Sequence, residues 1–224
     1  SPIIKKGFAT MPVKFGISFN RPALNQAGAL VHVYMDGSVT LNHGGTEMGQ
    51  GLFIKVAQVV AETFQIDIDH IKITATTTGK VPNTSPTAAS SGSDLNGMAA
   101  TNAAEQIKDR MTDVAAEQFN VPKGEIVFSS NRIYAGNRSI SFAELAALSW
   151  EKRVSLSATG FYRTPKIHWD FTSHSGRPFY YFTYGVAATE VAIDTLTGEM
   201  RVLRAELVQD CGASLNPAID LGQI

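Results

Sequence analysis

A glycine-dense segment, Gly44-Gly45-Thr46-Glu47-Met48-Gly49-Gln50-Gly51, joins a stretch that reads as a strand, Ser38 to His43, to one that reads as a helix, Leu52 to Phe64. Four glycines at such a junction restrict what the chain can build there. Glycine lets the backbone approach a neighbour or ligand closely and adopt positive φ. The first amides of a helix lack intrahelical partners and can be offered to an anion. The unit is therefore a candidate cradle for a phosphate or a polar heterocycle. No Gly-Lys-Ser/Thr follows, and the glycines miss Gly-x-Gly-x-x-Gly spacing, so neither standard nucleotide loop is present. The same residues would equally serve a tight turn packed against its own helix.

Around this unit the pattern predicts α+β architecture, with mixed and antiparallel sheets and packed helices. Phe15 to Phe19 and Ala29 to Tyr34 read as strands joined by a loop containing Pro22 and Asn25. Asp36-Gly37 is a hairpin signal, after which Ser38 to His43 should pair backward. Leu52, Val56, Val59, Val60 and Phe64 have helical spacing, and Ile71 to Thr76 alternates as a strand. Helical periodicity returns at Ala100, Ala103, Ala104, Ile107, Met111, Val114 and Ala115, where small residues suggest close packing, with Asp94 a candidate N-cap. Short strands follow near Ile126 to Phe128 and Arg132 to Tyr134. Ser141 and Glu144 have capping-box spacing ahead of a short helix to Trp150. Val154 to Phe161 reads as a strand. A long hairpin is expected from Tyr180 to Ile193 and Met200 to Gln209, turning at Asp194 to Gly198. Strands outnumber helices and connect mostly as hairpins, which favours α+β over a parallel βαβ sheet. The expectation is one domain over 1–224, with subdomains at 1–150 and 151–224.

Between these elements lies Thr76 to Gly97, rich in Thr, Ser, Gly and Asn and almost free of charge. Such a run is ordinarily a solvated linker. Linkers normally carry more charge, so a loop closed around a ligand is the alternative.

With 224 residues, 44% of them hydrophobic, the chain can bury a substantial core. Its net charge of −1 carries no strongly basic face for nucleic acid. No apolar run approaches the roughly 18 residues that span a bilayer, so no membrane partner is expected. Cys211 is the one cysteine, which leaves no internal disulfide and no cysteine-rich metal or iron–sulfur site within the chain. A reducing, cytoplasmic location is the simplest inference. Ser1 without an initiator Met, and a close at Leu221-Gly222-Gln223-Ile224, suggest a piece of a longer protein or one chain of a split one.

Three segments together carry a resemblance: His43 to Gly51, Pro82-Asn83-Thr84-Ser85-Pro86-Thr87-Ala88-Ala89-Ser90-Ser91-Gly92-Ser93-Asp94-Leu95-Asn96-Gly97, and Ser214-Leu215-Asn216-Pro217-Ala218-Ile219-Asp220-Leu221-Gly222-Gln223. They resemble the molybdenum-binding portion of the xanthine dehydrogenase/xanthine oxidase family, within the molybdenum hydroxylases that include aldehyde oxidases. Phe15 to Phe19, Asn25 to Ala29 and Tyr181 to Gly185 fit the same pattern, so the resemblance spans the chain. It implies a molybdopterin cofactor, extended to a dinucleotide in many bacterial members, with Gly49 and Gln50 near the pterin or the ligands around molybdenum. Ala88, Ala89, Ser90 and Ser93 would line the cofactor, and Gln223 would hydrogen-bond the pterin edge. Read alone, Ser90 and Ser93 could be helix caps and Gln223 an exposed polar residue. Phe19 matches a position that presents an aromatic ring to a flat substrate; on its own it reads as a core residue at a strand end. Asn20 departs from the pattern, which has Thr there, and so bears on the substrate and not on the cofactor class. His43 reads as a hydrogen-bonded strand residue, and Glu47 as distinct from the family's general base.

The implied activity is hydroxylation of purines, hypoxanthine or xanthine to urate, with a molybdenum-bound hydroxyl as oxygen donor. The alternatives are hydroxylation of another N-heterocycle or an aldehyde, or a non-catalytic module of the same fold. The dithiolene of the cofactor holds the metal, so no protein ligand to molybdenum is required. The family's catalytic glutamate stands in Gly-Glu-Pro-Pro, which is absent here, so no catalytic residue is assigned. Implied partners are the rest of the subunit and an iron–sulfur/FAD subunit or domain carrying 2Fe-2S clusters and FAD, in a dimer of heterodimers. The segment alone is expected to bind no cofactor and to be inactive.

Overall fold

The computed structural model describes residues 1–81 and 84–223; Pro82 and Asn83 of the second motif, and Ile224, lie outside them. In chain order the elements are β1 (Ile4–Gly16), β2 (Gln26–Val33), β3 (Val39–His43), α1 (Leu52–Phe64), β4 (Ile71–Ile73), α2 (Gly92–Phe119), β5 (Ile126–Ser129), β6 (Arg132–Ala135), β7 (Arg138–Ser141), α3 (Phe142–Glu151), β8 (Ser157–Arg163), β9 (His168–Asp170), β10 (Ser175–Arg177), β11 (Phe182–Asp194), β12 (Met200–Asp210) and α4 (Pro217–Leu221). This is the mixed α+β arrangement that the pattern predicts. Among the described residues no helix is long and apolar enough to cross a membrane.

Two compact units form. One gathers Ser1–Ile17 and Phe179–Gly222; the other holds Ser18–Pro178 together with Gln223. In the first, β11 runs antiparallel between β1 and β12. The expected hairpin is present, its Asp194–Gly198 turn closed by Gly198 N–H to Asp194 C=O at 2.8 Å. Every residue of β12, and all of β1 but Gly16, is exposed.

The second unit contains the core. Its four-stranded sheet has the order β4-β3-β2-β8. The β4–β3 pair is parallel, because α1 carries the chain across, and the other pairs are antiparallel. Leu52, Val56, Val60 and Phe64 recur every four residues on α1 and are buried, which puts one helix face into the core. Each such side chain contributes about 1.5–3 kcal/mol by leaving water. The α2 stripe of Leu95, Ala99, Ala103, Ile107 and Met111 is buried too. Its alanines let the helix backbone come against β8: a Cβ on Gly160 would strike Ala99 C=O and lie 2.6 Å from Ala103 N. Phe64 and Phe142 meet at 5.4 Å between ring centroids, fastening α3 onto α1. The Ser141 capping box forms in full.

Several elements differ from expectation. The strand read at Phe15 to Phe19 stops at Gly16, because Ser18 takes φ +102° and Phe19 enters a loop. The N-cap of α2 is Ser91, not Asp94; the helix begins at Gly92 and Asp94 sits in its first turn, where a carboxylate favours the helix dipole. Strand β8, which follows α3 and pairs with β2, starts at Ser157, three residues after the Val154 expected from the pattern. Strands β7, β9 and β10, and all of β1 ahead of Phe15, carry no clear alternation and fall outside the expected strands.

Candidate functional site

The turn between β3 and α1 needs its glycines for two different reasons. At Gly44 a Cβ would strike the Thr84 side chain, and at Gly45 it would lie 2.6 Å from Leu52 Cδ2 and 2.8 Å from Asn96 Nδ2. Gly49 and Gly51 instead hold φ at +99° and +76°, which side-chain-bearing residues rarely adopt. A Cβ on Gly49 would meet open space.

The chain supplies its own anion to this turn. Glu47 Oε1 accepts the N–H groups of Gly49 (2.8 Å) and Gly51 (3.1 Å), and Oε2 accepts that of Phe53 (2.9 Å). The premise that these amides face an external anion is thus corrected: a carboxylate in the same turn occupies them. Partial burial would raise the Glu47 pKa, but main-chain donors at Phe53, Gly49, Gly51 and Met48 outweigh it and hold the carboxyl below its ordinary value. Gln50 braces the same turn, its Oε1 accepting Met48 N–H at 2.6 Å and its Nε2 donating to Thr46 C=O at 2.9 Å. One Nε2 proton is left over.

The uncharged loop comes to meet the turn. Thr46 N–H donates to Thr87 Oγ1 at 2.8 Å, a bond between the two motifs across 41 residues of sequence. Ser85 Oγ donates to Gln26 C=O at 3.1 Å, anchoring the loop on β2. Ala89 and Ser90 take φ values of +57° and +56°, so the chain reverses just before α2. The Ser91 hydroxyl donates back to Ala88 C=O at 3.0 Å and does not cap the helix. The N-cap residue of this 28-residue helix thus makes no side-chain cap bond. Among the described residues the hydroxyls of Ser90 and Ser93 have no hydrogen-bond partner.

A hollow of about 310 Å³ lies between turn and loop, walled by Met48, Gln50 and Leu52 on one side and by Ala88, Ser90 and Ser93 on the other. No charged side chain lines it. Four residues selected from sequence, Gln50, Ala88, Ser90 and Ser93, thus share one cavity. Ala89 belongs to the same loop, and Gly49 adjoins Gln50. Gln223 is exposed and is not on this wall.

The segment with Phe19 and Asn20 is tied to the same loop, since Ser18 N–H donates to Ala89 C=O at 3.0 Å. Asn25, buried to 1% exposure, clasps Phe19 from behind, accepting its N–H at 3.0 Å and donating to its C=O at 2.9 Å. Phe19 is half-buried and Asn20 exposed. A larger hollow, about 610 Å³, lies by Pro22, Phe161, Arg163 and Lys166. It gathers none of the residues assigned a role from sequence.

Sequence reasoning placed Glu47, Asn25 and Thr87 within its motifs but gave none of them the bond it makes. The signal for Glu47 was available, since a carboxylate two to six residues ahead of exposed helix amides can fold back on them. Asn25 clasps Phe19 across a six-residue loop and Thr87 receives its bond from Thr46 across 41 residues, and local pattern reveals neither.

A family model described as a molybdopterin cofactor-binding domain matches residues 2–224. The chain belongs to that family. It is 51% identical over 220 residues to xanthine dehydrogenase from Oryza sativa subsp. japonica, and 50% identical over 220 residues to xanthine dehydrogenase/oxidase from Gallus gallus. Each alignment covers 98% of this chain, and the chain spans 15% of the length of those relatives. Among solved structures, quinoline 2-oxidoreductase from Pseudomonas putida 86 superimposes with TM-score 0.78 at 20% identity, over 100% of this chain and 29% of that one. Carbon monoxide dehydrogenase from Oligotropha carboxidovorans gives 0.77 at 23%, over 99% and 28%. At those identities the likeness shows the fold.

Proposed function

We propose that this chain, as a molybdopterin cofactor-binding domain, forms a cofactor wall and part of the substrate wall of a xanthine dehydrogenase-like enzyme that hydroxylates purines. The observation that carries the reading is the meeting of the glycine turn and the uncharged loop around one hollow, fastened by the Thr46–Thr87 bond of 2.8 Å. The donor set suits a pterin. Its walls offer helix amides, serine hydroxyls and a carboxamide, with small side chains that let a flat polar ligand approach the backbone.

In this reading Gln50 offers its remaining Nε2 proton to the ligand. Ser90 and Ser93 donate hydroxyl hydrogens, and the main chain at Gly49, Ala88 and Ala89 lies close because no large side chain intervenes. Gln223 is assigned to the pterin edge on the family pattern. When bound, the cofactor supplies the oxygen-transfer and redox chemistry. The chain's own part is to bind, orient and exclude water. Phe19 offers a ring face or edge to a planar substrate, an interaction worth about 0.5–1.5 kcal/mol beyond area burial. Asn25 fixes that ring's main chain, and Asn20 offers a donor and an acceptor beside it.

The whole enzyme would add the remaining domains of its subunit, 2Fe-2S and FAD modules, and a catalytic carboxylate. A cytoplasmic dimer of heterodimers and a dinucleotide form of the cofactor belong to the same proposal. The test uses the intact protein: bound molybdenum is measured, then urate formation from hypoxanthine and xanthine is compared with turnover of an aldehyde. Urate formation with stoichiometric molybdenum is expected. Turnover of the aldehyde alone would move the substrate away from purines, and absence of molybdenum would overturn the cofactor reading.

A further inference from the structure

Among the described residues every buried hydrophobic side chain falls between Ala27 and Ala158, so the unit built on β1, β11 and β12 has no core of its own. Three strands of this length hold together in water only when one face is apolar and packed.

The strand registers identify that face. Met11 stands beside Ala187 and Leu207 across the sheet, and Val13 beside Gly185 and Gln209, all on one side. Beyond the bulge at Glu190/Val191 the same side carries Val202 and Met200. Of the charged residues in the three strands only Lys5, near one end, shares it. Lys6, Lys14, Glu190, Arg204 and Glu206 lie on the reverse, where Lys6 reaches Glu190 at 3.2 Å and Arg204 reaches Glu206 at 2.6 Å. Two polar side chains of the uncharged face are already bonded within the sheet: Gln209 Nε2 donates to Thr183 Oγ1 at 2.8 Å, and that hydroxyl donates to Asp210 C=O. A face so composed can leave water at little cost. Yet Met11 is 67%, Met200 55% and Leu207 79% exposed.

We propose that the uncharged face of the β1–β11–β12 sheet is an internal interface of the full-length polypeptide, covered by an apolar surface of residues outside 1–224. Strand spacing makes the face about 40 Å by 14 Å, on the order of 550 Å². That is at the upper end of the exposed apolar patches that monomers tolerate. A second copy laid on it would bury roughly 1,100 Å² in total, well short of the ~2,000 Å² and more of permanent interfaces. A unit without a core needs a permanent cover. The chain spans 15% of the length of its xanthine dehydrogenase relatives, so most of such a polypeptide lies outside this stretch. A cover tethered to the sheet docks without the association cost that a separate partner meets. The interface is independent of the cofactor reading above.

The test uses the intact protein. Met11 and Met200 report on the face without any substitution, since peroxide converts accessible methionine to the sulfoxide. Both are expected to resist peroxide in the folded protein and to oxidise once urea unfolds it. Oxidation at the unfolded rate in the folded protein would overturn the proposal. Crosslinking identifies the cover. Phe15→p-benzoylphenylalanine, irradiated and digested, should join a peptide of the same polypeptide from outside residues 1–224. A crosslink within 1–224, in the same or a second copy, or to a different polypeptide, would overturn it. Should that variant not fold, Leu207→p-benzoylphenylalanine presents the probe from the other outer strand. Neither readout involves the hollow, so a preparation without molybdenum would sink the cofactor reading and leave the interface to be decided by these two measurements.

Discussion

Removing the Glu47 carboxylate tests whether the glycine turn is built around an internal anion. Glu47 receives three main-chain N–H groups at 2.8, 3.1 and 2.9 Å. Buried hydrogen bonds to a charged group contribute about 1.5–3 kcal/mol each, which would give a large sum. Glu47 is exposed, however, and water replaces the carboxylate when it is lost, so the sum must be discounted to the scale of a helix cap, about 1–2 kcal/mol for Glu47→Ala. That corresponds to a roughly 5- to 30-fold increase in local opening. Glu47→Gln, which keeps one acceptor oxygen, should lose less. The sign of the pH dependence follows from the depressed folded-state pKa. The contribution is complete above the unfolded carboxyl value and is lost as pH falls through the lower folded value, so wild type and Glu47→Ala should differ fully at neutral pH and converge only in acid. Hydrogen exchange of the Gly49, Gly51 and Phe53 amides in the intact protein is the assay. Equal exchange in wild type and Glu47→Ala at neutral pH would refute the internal-anion account.

Gly160→Ala should destabilise the second unit by about 1–3 kcal/mol or more, because the new methyl meets the α2 backbone at Ala99 and Ala103; chemical denaturation and soluble yield report it. Asn25→Ala should cost about 2–3 kcal/mol through two lost main-chain bonds and, on the proposed function, raise KM for purine more than it lowers kcat, since Phe19 loses its clasp; steady-state kinetics of the intact protein separate the two. Ser141→Ala should weaken the start of α3 by about 1 kcal/mol, read as faster exchange of the Glu144 amide. The 224-residue chain alone should form no urate and hold no molybdenum, and stoichiometric metal in such a preparation would contradict this.

What was legible in the sequence was legible because local chemistry dictated it. Ser141 and Glu144 announced their capping box, Asp194 to Gly198 its turn, and the leucine–valine spacing of 52–64 its helix. The alanine stripe of α2 signalled close approach, and Gly160 turned out to be the surface it approaches. The strand β1 was mostly hidden: Ile4 to Gly16 alternates no core face, because its side chains stay outside. The N-cap of α2 was misplaced because two left-handed residues, Ala89 and Ser90, start the helix by a reversal that no capping pattern encodes. At the site, composition marked both walls, but their meeting depends on Thr46 and Thr87, side by side in space and far apart along the chain.

The β1–β11–β12 ribbon bears on how this polypeptide can be handled. Phe8 is 70% exposed and Leu207 79%, on outer strands that each leave one edge of main-chain donors and acceptors unclaimed by another described strand. Open edges flanked by greasy side chains template pairing with other molecules. Recombinant production of this stretch by itself should therefore favour inclusion bodies, and trimming the ribbon would do more for solubility than any change in the unit of Ser18–Pro178.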